Sequence, residues 1–464
     1  MSRRLLLAAA LAAGSAASAA PAQEAFVRAV DAEPGVDLAV CVLDLDGGEV
    51  FAHRADESFV LASNTKLLTT AAALTALGPE HRWHTRAWLA DGELWLAGDG
   101  DPSLRRLPSG DADEAFLDAL AAALRAAGAE PKAVVVDGRA FPGPPFPPLW
   151  PADQRQFDYS APVSALAVEG NVLELRLLAG GEILLDPDPG PALELVRRPR
   201  PGRVFSAVWT GDLALRLEGD LARPATGRLA VRAPLRWFGT WVRAGLAARG
   251  LACGPVRLPA ADEPAPAGPP LLDHPSAWTL ADAVLLANKE SDNFTAEVLL
   301  RTLGRERGAA GTAAAGAAAV AAELERLGLD PAGLHQVDGS GFARGGEPPA
   351  NSAPARLVAG LLAAMAQGEH RRLFFDSLLV GGEDGRLARW FRDRIFQPRR
   401  VRAKTGFITG ASTLSGYLLA GDEVLVFSVL VNFVPDGTRR TNGYRFREVQ
   451  ERILRELLES WPTS

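Results

Sequence analysis

The sequence is poor in cysteine and histidine, and both shortages restrict the possible sites. Among 464 residues there are two cysteines, Cys41 and Cys253. They are too few for a disulfide framework or a cysteine-rich zinc site, and their spacing leaves open whether they pair. The six histidines include the pair His81-x-x-His84 but no His-Glu-x-x-His motif. A solvated surface pair is therefore favoured over a zinc centre, and we expect no metal and no cofactor.

The chain also lacks a basic excess and a long apolar stretch. Lys and Arg number 49 and Asp and Glu 56, giving a net charge of −7, so bulk charge does not favour binding to nucleic acid. The content of 48% hydrophobic and 23% charged residues excludes wholesale disorder and is typical of a globular protein. No later stretch reaches about 18 uninterrupted apolar residues, so no transmembrane anchor is expected.

The first residues have the pattern of a secretory signal peptide. Ser2-Arg3-Arg4 is a short basic region, residues 5–13 are apolar, and Ala17-Ser18-Ala19 fits a cleavage site. Ala20-Pro21-Ala22 is a second candidate site. We therefore expect residues 1–19 to be removed and the mature protein to be exported to the periplasm or the extracellular cell-envelope space.

Lysine is scarce, and its positions are informative. The chain has four lysines, at positions 66, 132, 289 and 404, against 45 arginines. Ser63-x-x-Lys66 lies at the start of a predicted helix that ends at Gly78-Pro79, so the two side chains share a helix face. A lysine can take a proton from a serine hydroxyl where an arginine cannot. Taken alone, the motif is equally compatible with a helix-capping serine and a solvated lysine.

Two further motifs follow in a meaningful order. Ser291-Asp292-Asn293 lies between two predicted helices, and Lys404-Thr405-Gly406 ends a predicted strand. Each alone would be read as an ordinary turn. Together with Ser63-x-x-Lys66 they form the trio typical of penicillin-binding proteins and class A β-lactamases. Three of the four lysines lie in or beside this trio, which makes coincidence improbable.

The chain resembles the penicillin-binding D-alanyl-D-alanine carboxypeptidases/endopeptidases of the low-molecular-mass class C type (peptidase family S13, relatives of penicillin-binding protein 4). The resemblance covers nearly the whole mature chain. Beyond the trio it rests on these segments: Gly98-Asp99-Gly100-Asp101-Pro102-Ser103-Leu104, Tyr159-Ser160-Ala161-Pro162, Asp338-Gly339-Ser340-Gly341 with Arg344, Gly382-x-Asp384-Gly385, and Thr409-Gly410-x-Ser412-x-Leu414-Ser415-Gly416.

The resemblance implies an α/β (α+β) serine penicillin-recognising, β-lactamase-like fold, in which helices flank an antiparallel sheet. It also implies an inserted β-rich domain with a third domain nested in it. The long interval between Ser63 and Ser291 agrees with an insertion. We expect a catalytic domain at 24–82 and 271–464, an inserted domain at 83–104 and 165–270, and a nested domain at 105–164.

The resemblance also implies an activity on peptidoglycan stem peptides and reaction with β-lactam antibiotics. The implied catalytic residues are Ser63, Lys66, Ser291, Asn293 and Lys404. The implied substrate-binding residues are Thr405, Gly406, Phe407, Arg344, Asp137 and Phe141. Phe407 departs from the family, which usually has Thr or Ser there.

Two alternatives remain at this point: a β-lactamase or esterase on the same fold, or a non-catalytic peptidoglycan-binding scaffold. The sequence does not indicate an oligomeric state.

Overall fold

The protein is described here by a computed structural model that covers residues 21–107, 110–435 and 439–461. The predicted signal peptide, 1–19, lies outside the described residues. In the described part of the chain no helix is both long enough and apolar enough to cross a membrane.

The helices of these residues are α1 Pro21–Asp31, α2 Thr65–Leu77, α3 Ala112–Ala126, α4 Pro234–Ala248, α5 Leu280–Lys289, α6 Asn293–Arg307, α7 Ala313–Arg326, α8 Ala355–Gln367, α9 Arg371–Asp376 and α10 Arg439–Ser460.

The strands are β1 Val36–Asp44, β2 Glu49–His53, β3 Ser58–Val60, β4 His84–Ala90, β5 Glu93–Gly98, β6 Arg106–Leu107, β7 Gly110–Asp111, β8 Val134–Asp137, β9 Val172–Leu177, β10 Ile183–Asp186, β11 Glu194–Pro199, β12 Ser206–Gly211, β13 Ala214–Gly219, β14 Ala225–Ala230, β15 Val256–Arg257, β16 Leu272–Pro275, β17 Ser352–Pro354, β18 Leu379–Val380, β19 Val401–Ile408, β20 Ala411–Ala420 and β21 Glu423–Phe433.

A six-stranded antiparallel sheet, in the order β18-β19-β20-β21-β1-β2, is the centre of the first body of the fold. Successive side chains of a strand point to opposite faces. In β1, Leu38, Val40 and Val42 pack in one core with α1 and α10, whereas Ala39 and Cys41 pack in another with α2, α5, α6, α7 and α8. Because both faces are buried there, β1 is apolar from Leu38 to Leu43. The predicted antiparallel sheet flanked by helices is confirmed.

Between α2 and α5 the chain forms a second, β-rich body. It contains a five-stranded sheet, β15-β8-β5-β4-β16, and two three-stranded sheets, β10-β9-β14 and β11-β13-β12. Their apolar side chains share one core with α3 and α4. A turn at Asp91-Gly92, a residue pair that favours hairpin turns, joins β4 to β5, and both residues have positive φ, 52° and 76°. Helix α3 and strand β8 of the predicted nested domain belong to this core, and the division into three domains stays a prediction.

The segment between β8 and β9 returns to the first body. Phe141, Ala161 and Val163 are buried in the core around α2 and α6, and Trp150 Nε1 donates a hydrogen bond to Asp338 Oδ2 at 2.9 Å. These contacts bring Tyr159 against the start of α6, where its carbonyl oxygen accepts from the Asn293 side chain at 2.8 Å. The irregular, proline-rich segment therefore forms one wall of the region described next.

Both cysteines are free thiols. Cys41 lies in β1 and is fully buried, whereas Cys253 lies in the β-rich body. The question that the spacing left open is thus answered by the fold, because the two residues belong to separate cores.

Candidate active site

Ser63 lies in a single 3-10 turn, Ala62–Asn64, that leads into α2. Ala62 has φ of 46°, a left-handed conformation that is costly for a residue with a Cβ. Two glycines, Gly341 and Gly406, allow their segments of the chain to pack closely against this turn. A Cβ on Gly341 would lie 1.8 Å from the Ala62 carbonyl oxygen, and one on Gly406 would lie 2.9 Å from the Ser63 nitrogen. The turn leaves Ser63 partly exposed, whereas the following helical residues are buried.

Lys66 lies one helical turn after Ser63 and is fully buried. Its Nζ is 3.3 Å from Ser63 Oγ and donates to Asn293 Oδ1 and to the Ser340 carbonyl oxygen, each at 2.7 Å. Burial lowers the pKa of Lys66 to about 8, although nearby carboxylates oppose the change. A substantial fraction of neutral amine is therefore present near neutral pH, within reach of the serine hydroxyl.

The Ser340 carbonyl is held in place by Glu297, a residue that sequence reasoning missed. The Glu297 carboxylate is fully buried in α6, and its Oε1 accepts from the Gly339 and Ser340 nitrogens at 2.8 and 3.0 Å. Burial raises the pKa of Glu297 to about 8. Glu297 follows Asn293 by one turn of the same helix, a spacing that could have drawn attention to it.

Asp338 fixes the other end of the same loop. Its Oδ1 accepts from the Gly341 nitrogen at 2.7 Å and from Asn351 Nδ2 at 3.0 Å, and its Oδ2 accepts from Trp150 Nε1 and from the Ala343 nitrogen. Both oxygens of this buried carboxylate accept hydrogen bonds from the protein, so Asp338 holds the loop in place. It belongs to the Asp338-Gly339-Ser340-Gly341 segment, which was noted in the sequence without a role.

Lys404 and Ser291 form a second hydrogen-bonded pair. Lys404 is fully buried in β19, and its Nζ donates to Ser291 Oγ at 2.9 Å and to the Thr405 carbonyl oxygen at 3.2 Å. Burial lowers the pKa of Lys404 well below its usual value, and the charge of Lys66 lowers it further. Ser291 has a positive φ of 59°, and the next residue, Asp292, caps α6 through the Thr295 nitrogen at 2.7 Å. The cap and the turn together aim Ser291 at Lys404.

The strand that carries Lys404 runs beside the turn that carries Ser63. Asn64 Nδ2 donates to the Lys404 carbonyl oxygen at 3.0 Å, and Gly406 packs against Ser63 as described above. Phe407 follows on the same strand with 41% of its surface exposed. Its ring stacks on Phe433 with centroids 6.5 Å apart. Gly406 therefore borders Ser63, with Thr405 and Phe407 on either side of it along β19, and substrate-binding roles for these three residues stay predictions.

The three residues predicted to bind the stem-peptide side chain lie in different surroundings. Asp137 ends β8, is buried, and is held by Arg139 at 2.6 Å. Phe141 is buried, and a Cβ on Gly100 would lie 2.4 Å from its ring. The Arg344 guanidinium lies over the Phe342 ring, 5.5 Å from its centroid. Phe342 in turn makes an edge contact with Tyr159, which borders Asn293. Substrate-binding roles for all three stay predictions.

Comparison with known proteins agrees with this arrangement. The model of the D-Ala-D-Ala carboxypeptidase 3 (S13) family matches residues 26–445. The chain is 32% identical over 436 residues to a D-alanyl-D-alanine carboxypeptidase of an Actinomadura species, covering 86% of this chain and 78% of that protein. It is 26% identical over 410 residues to the carboxypeptidase DacB of Mycolicibacterium smegmatis, covering 84% and 75%.

Solved structures show the same fold. Penicillin binding protein 4 from Haemophilus influenzae superimposes with a TM-score of 0.76 at 20% identity, covering 94% of this chain and 99% of that one. A second crystal structure of that protein, complexed with a β-lactam, gives a TM-score of 0.70 at 19% identity. The match of the family model over most of the described chain, together with the Actinomadura relative, shows that this chain belongs to the D-Ala-D-Ala carboxypeptidase 3 (S13) family.

Proposed function

We propose that the protein is a serine-type D-Ala-D-Ala carboxypeptidase and DD-endopeptidase that acts on peptidoglycan stem peptides through an acyl-enzyme on Ser63. The observation that carries the proposal is the 3.3 Å approach of Lys66 Nζ to Ser63 Oγ, with the lysine fully buried and its pKa lowered to about 8. Membership of a D-Ala-D-Ala carboxypeptidase family supports the choice of substrate.

Acylation begins with transfer of the Ser63 proton to neutral Lys66. Ser63 Oγ then attacks the carbonyl carbon of the D-Ala-D-Ala amide, or of a cross-link with the same local chemistry. The backbone N–H groups of Ser63 and Phe407 are the candidate donors to the oxyanion that forms. Because that role uses only backbone, it does not depend on the side chain at position 407.

The leaving amine needs a proton, and Ser291 is placed to relay one. Its hydroxyl accepts a hydrogen bond from Lys404 Nζ at 2.9 Å and can donate in turn to the departing nitrogen. Asn293 holds Lys66 through Oδ1, and its Nδ2, which also donates to the Tyr159 carbonyl oxygen, is a candidate donor to the substrate amide. Water then hydrolyses the Ser63 ester, and the enzyme is regenerated. A β-lactam acylates the same oxygen, and its ring-opened product leaves slowly.

We assign binding of the substrate carboxylate to Lys404 Nζ and the Thr405 hydroxyl, both on β19. The next residue is Phe407, so the hydroxyl that the family usually supplies at that position is absent. We assign the site of action to the cell envelope, because residues 1–19 have the pattern of an export signal. The catalytic domain is assigned to 24–82 and 271–464, with 83–270 as the inserted region.

The proposal is tested by two measurements on the purified mature chain. We expect covalent labelling by a fluorescent penicillin and release of D-Ala from a peptide ending in D-Ala-D-Ala. Absence of both would leave a non-catalytic scaffold as the function. Rapid hydrolysis of the penicillin without release of D-Ala would instead favour a β-lactamase.

A further inference from the structure

The connection between β18 and β19 presents an uncompensated row of positive charge. Four arginines in it, Arg386, Arg389, Arg392 and Arg394, are exposed. Among the residues that the structure describes, none of their guanidinium groups forms an ion pair or a hydrogen bond. We call these four residues the arginine face. In a chain whose net charge is −7, such a row is a local exception.

The acidic residues of the same connection do not neutralise this face. Glu383 is bound by Arg399 at 2.8 Å, and Asp384 by Lys289 at 2.8 Å. Asp393 is bound by Arg455 of α10. Each carboxylate is thus already held by another cation, and the arginine face keeps its charge for an external partner.

The face is carried on a rigid support rather than on a loose loop. Leu387, Phe391 and Phe396 are fully buried in the core between the sheet and α10. The Phe391 nitrogen donates to Glu451 of α10 at 3.0 Å, and Gln397 Nε2 donates to the Phe391 carbonyl oxygen at 3.0 Å. Because the apolar residues are anchored inward, the arginines between them are directed outward with little freedom to fold back.

The arginine face begins beside the candidate active site. Strand β18 pairs with β19, Val380 opposite Arg402, two residues before Lys404. The ion pair of Asp384 with Lys289 ties the connection to the chain two residues before Ser291. The charge of Arg386 also lowers the pKa of Lys66 and of Lys404. A polymer bound at Ser63 could therefore continue directly onto this face.

We propose that the arginine face binds the carboxylate groups of polymeric peptidoglycan and so distinguishes the polymer from a free stem peptide. This inference rests on the proposed function and adds a binding surface for the polymer to it. Arginine matches a carboxylate with two parallel hydrogen bonds, and a row of cations raises the local concentration of a polyanion. Trp390 of the same connection lies beside the exposed Tyr444 of α10, with ring centroids 6.1 Å apart, and this pair offers aromatic contact surface next to the connection.

We assign peptidoglycan as the ligand of the arginine face because this face adjoins the site at Ser63. Its stem peptides carry carboxylates repeatedly along one polymer, and the same polymer must enter the site at Ser63. A phosphate-rich wall polymer has a similar charge but no reason to reach Ser63. Binding to a phosphate polymer with no binding to peptidoglycan would overturn the assignment.

The test compares two triple variants of the mature chain. Arg389→Gln, Arg392→Gln and Arg394→Gln remove three charges from the arginine face. Arg198→Gln, Arg200→Gln and Arg203→Gln remove three exposed charges from β11 and the turn after it, in the β-rich body. Both variants are assayed for cosedimentation with insoluble peptidoglycan stripped of phosphate polymers, for its digestion, and for release of D-Ala from a soluble pentapeptide.

We expect the first variant to lose about 10-fold in polymer binding and digestion at low salt, a loss that shrinks as salt rises. Its labelling by penicillin and its kcat/KM on the pentapeptide should match the wild type. An equal loss in the second variant would mean that net charge alone is responsible, and unchanged polymer binding in the first would exclude the face. Because cosedimentation does not require catalysis, an inactive wild type would refute the proposed function without deciding this inference, which the binding assay still tests.

Discussion

Replacement of Lys66 by arginine separates a proton acceptor from a mere positive charge. In the structure the Lys66 ammonium is fully buried, and its Nζ lies 3.3 Å from Ser63 Oγ. Arginine keeps the charge and the ability to donate to Asn293 and Ser340. It cannot give up its proton at working pH, so the variant tests the chemical role of the amine.

The pKa of Lys66 sets the fraction of its amine that can accept a proton. With a pKa of about 8, about 9% of the side chain is neutral at pH 7, whereas the ordinary value of 10.5 would leave about 0.03%. Loss of a positioned base costs roughly 10²-fold or more in rate. We therefore expect the second-order rate constant of acylation by penicillin to fall at least that far in Lys66→Arg.

The assay is stopped-flow or quenched acylation by a fluorescent penicillin between pH 6 and pH 9. Below a pH of about 8 the ammonium form of Lys66 predominates, so the wild-type rate should rise about tenfold per pH unit and then level off. The Lys66→Arg variant should lose that dependence. Lys132→Arg is the matched control, because Lys132 is exposed in the β-rich body. A Lys66→Arg enzyme that acylates at close to the wild-type rate would refute the argument and direct attention to Ser291 as the base.

Three further predictions follow from the same geometry. Ser63→Ala should abolish covalent penicillin labelling without changing the melting temperature, and a label found on another serine would exclude Ser63 as the nucleophile. Glu297→Ala should cost about 2–6 kcal/mol in free energy of unfolding, because it leaves the N–H groups of Gly339 and Ser340 unpaired. Glu297→Gln keeps an acceptor oxygen and should cost clearly less in urea unfolding, so equal losses would contradict this reasoning. Phe407→Thr should lower KM for a D-Ala-D-Ala peptide about fivefold by adding a hydroxyl near its carboxylate, and an unchanged KM would show that this hydroxyl is not needed.

Regular elements were predictable from the sequence where local signals and burial agree. The helix after Ser63 ends at Gly78, whose φ of 80° is the backbone conformation that glycine adopts readily. Strand-forming residues at 412–419 and 423–432 predict two strands, which are observed as β20 and β21. An apolar stripe of Val449, Ile453, Leu454, Leu457 and Leu458 predicts a helix over 444–459, and the observed helix begins earlier, at Arg439. Polar residues there interrupt the apolar stripe, so periodicity could not detect the first turn.

Other features depend on contacts between distant segments, and the sequence gives no local sign of them. Helix α1 was not predicted, because its 11 residues are stabilised by packing of Val27 and Val30 on the sheet. The site motifs were recognisable because chemistry restricts their residue types. Glu297 was missed because a glutamate in a helix is ordinarily solvated, and only the fold shows that it lies buried under the Ser340 loop.

The pairing of β1 with β21 sets an order in time for this protein. Val36 lies opposite Phe433, so β1 cannot form this pairing until β21 has been synthesised. Ribosomes add roughly 5–20 residues per second, and the intervening chain of about 400 residues takes tens of seconds to make. Contacts between such distant segments also slow folding itself. Ser63 and the residues of β19 that lie beside it therefore cannot meet until synthesis is nearly complete, and a prematurely terminated chain would carry Ser63 without these neighbours.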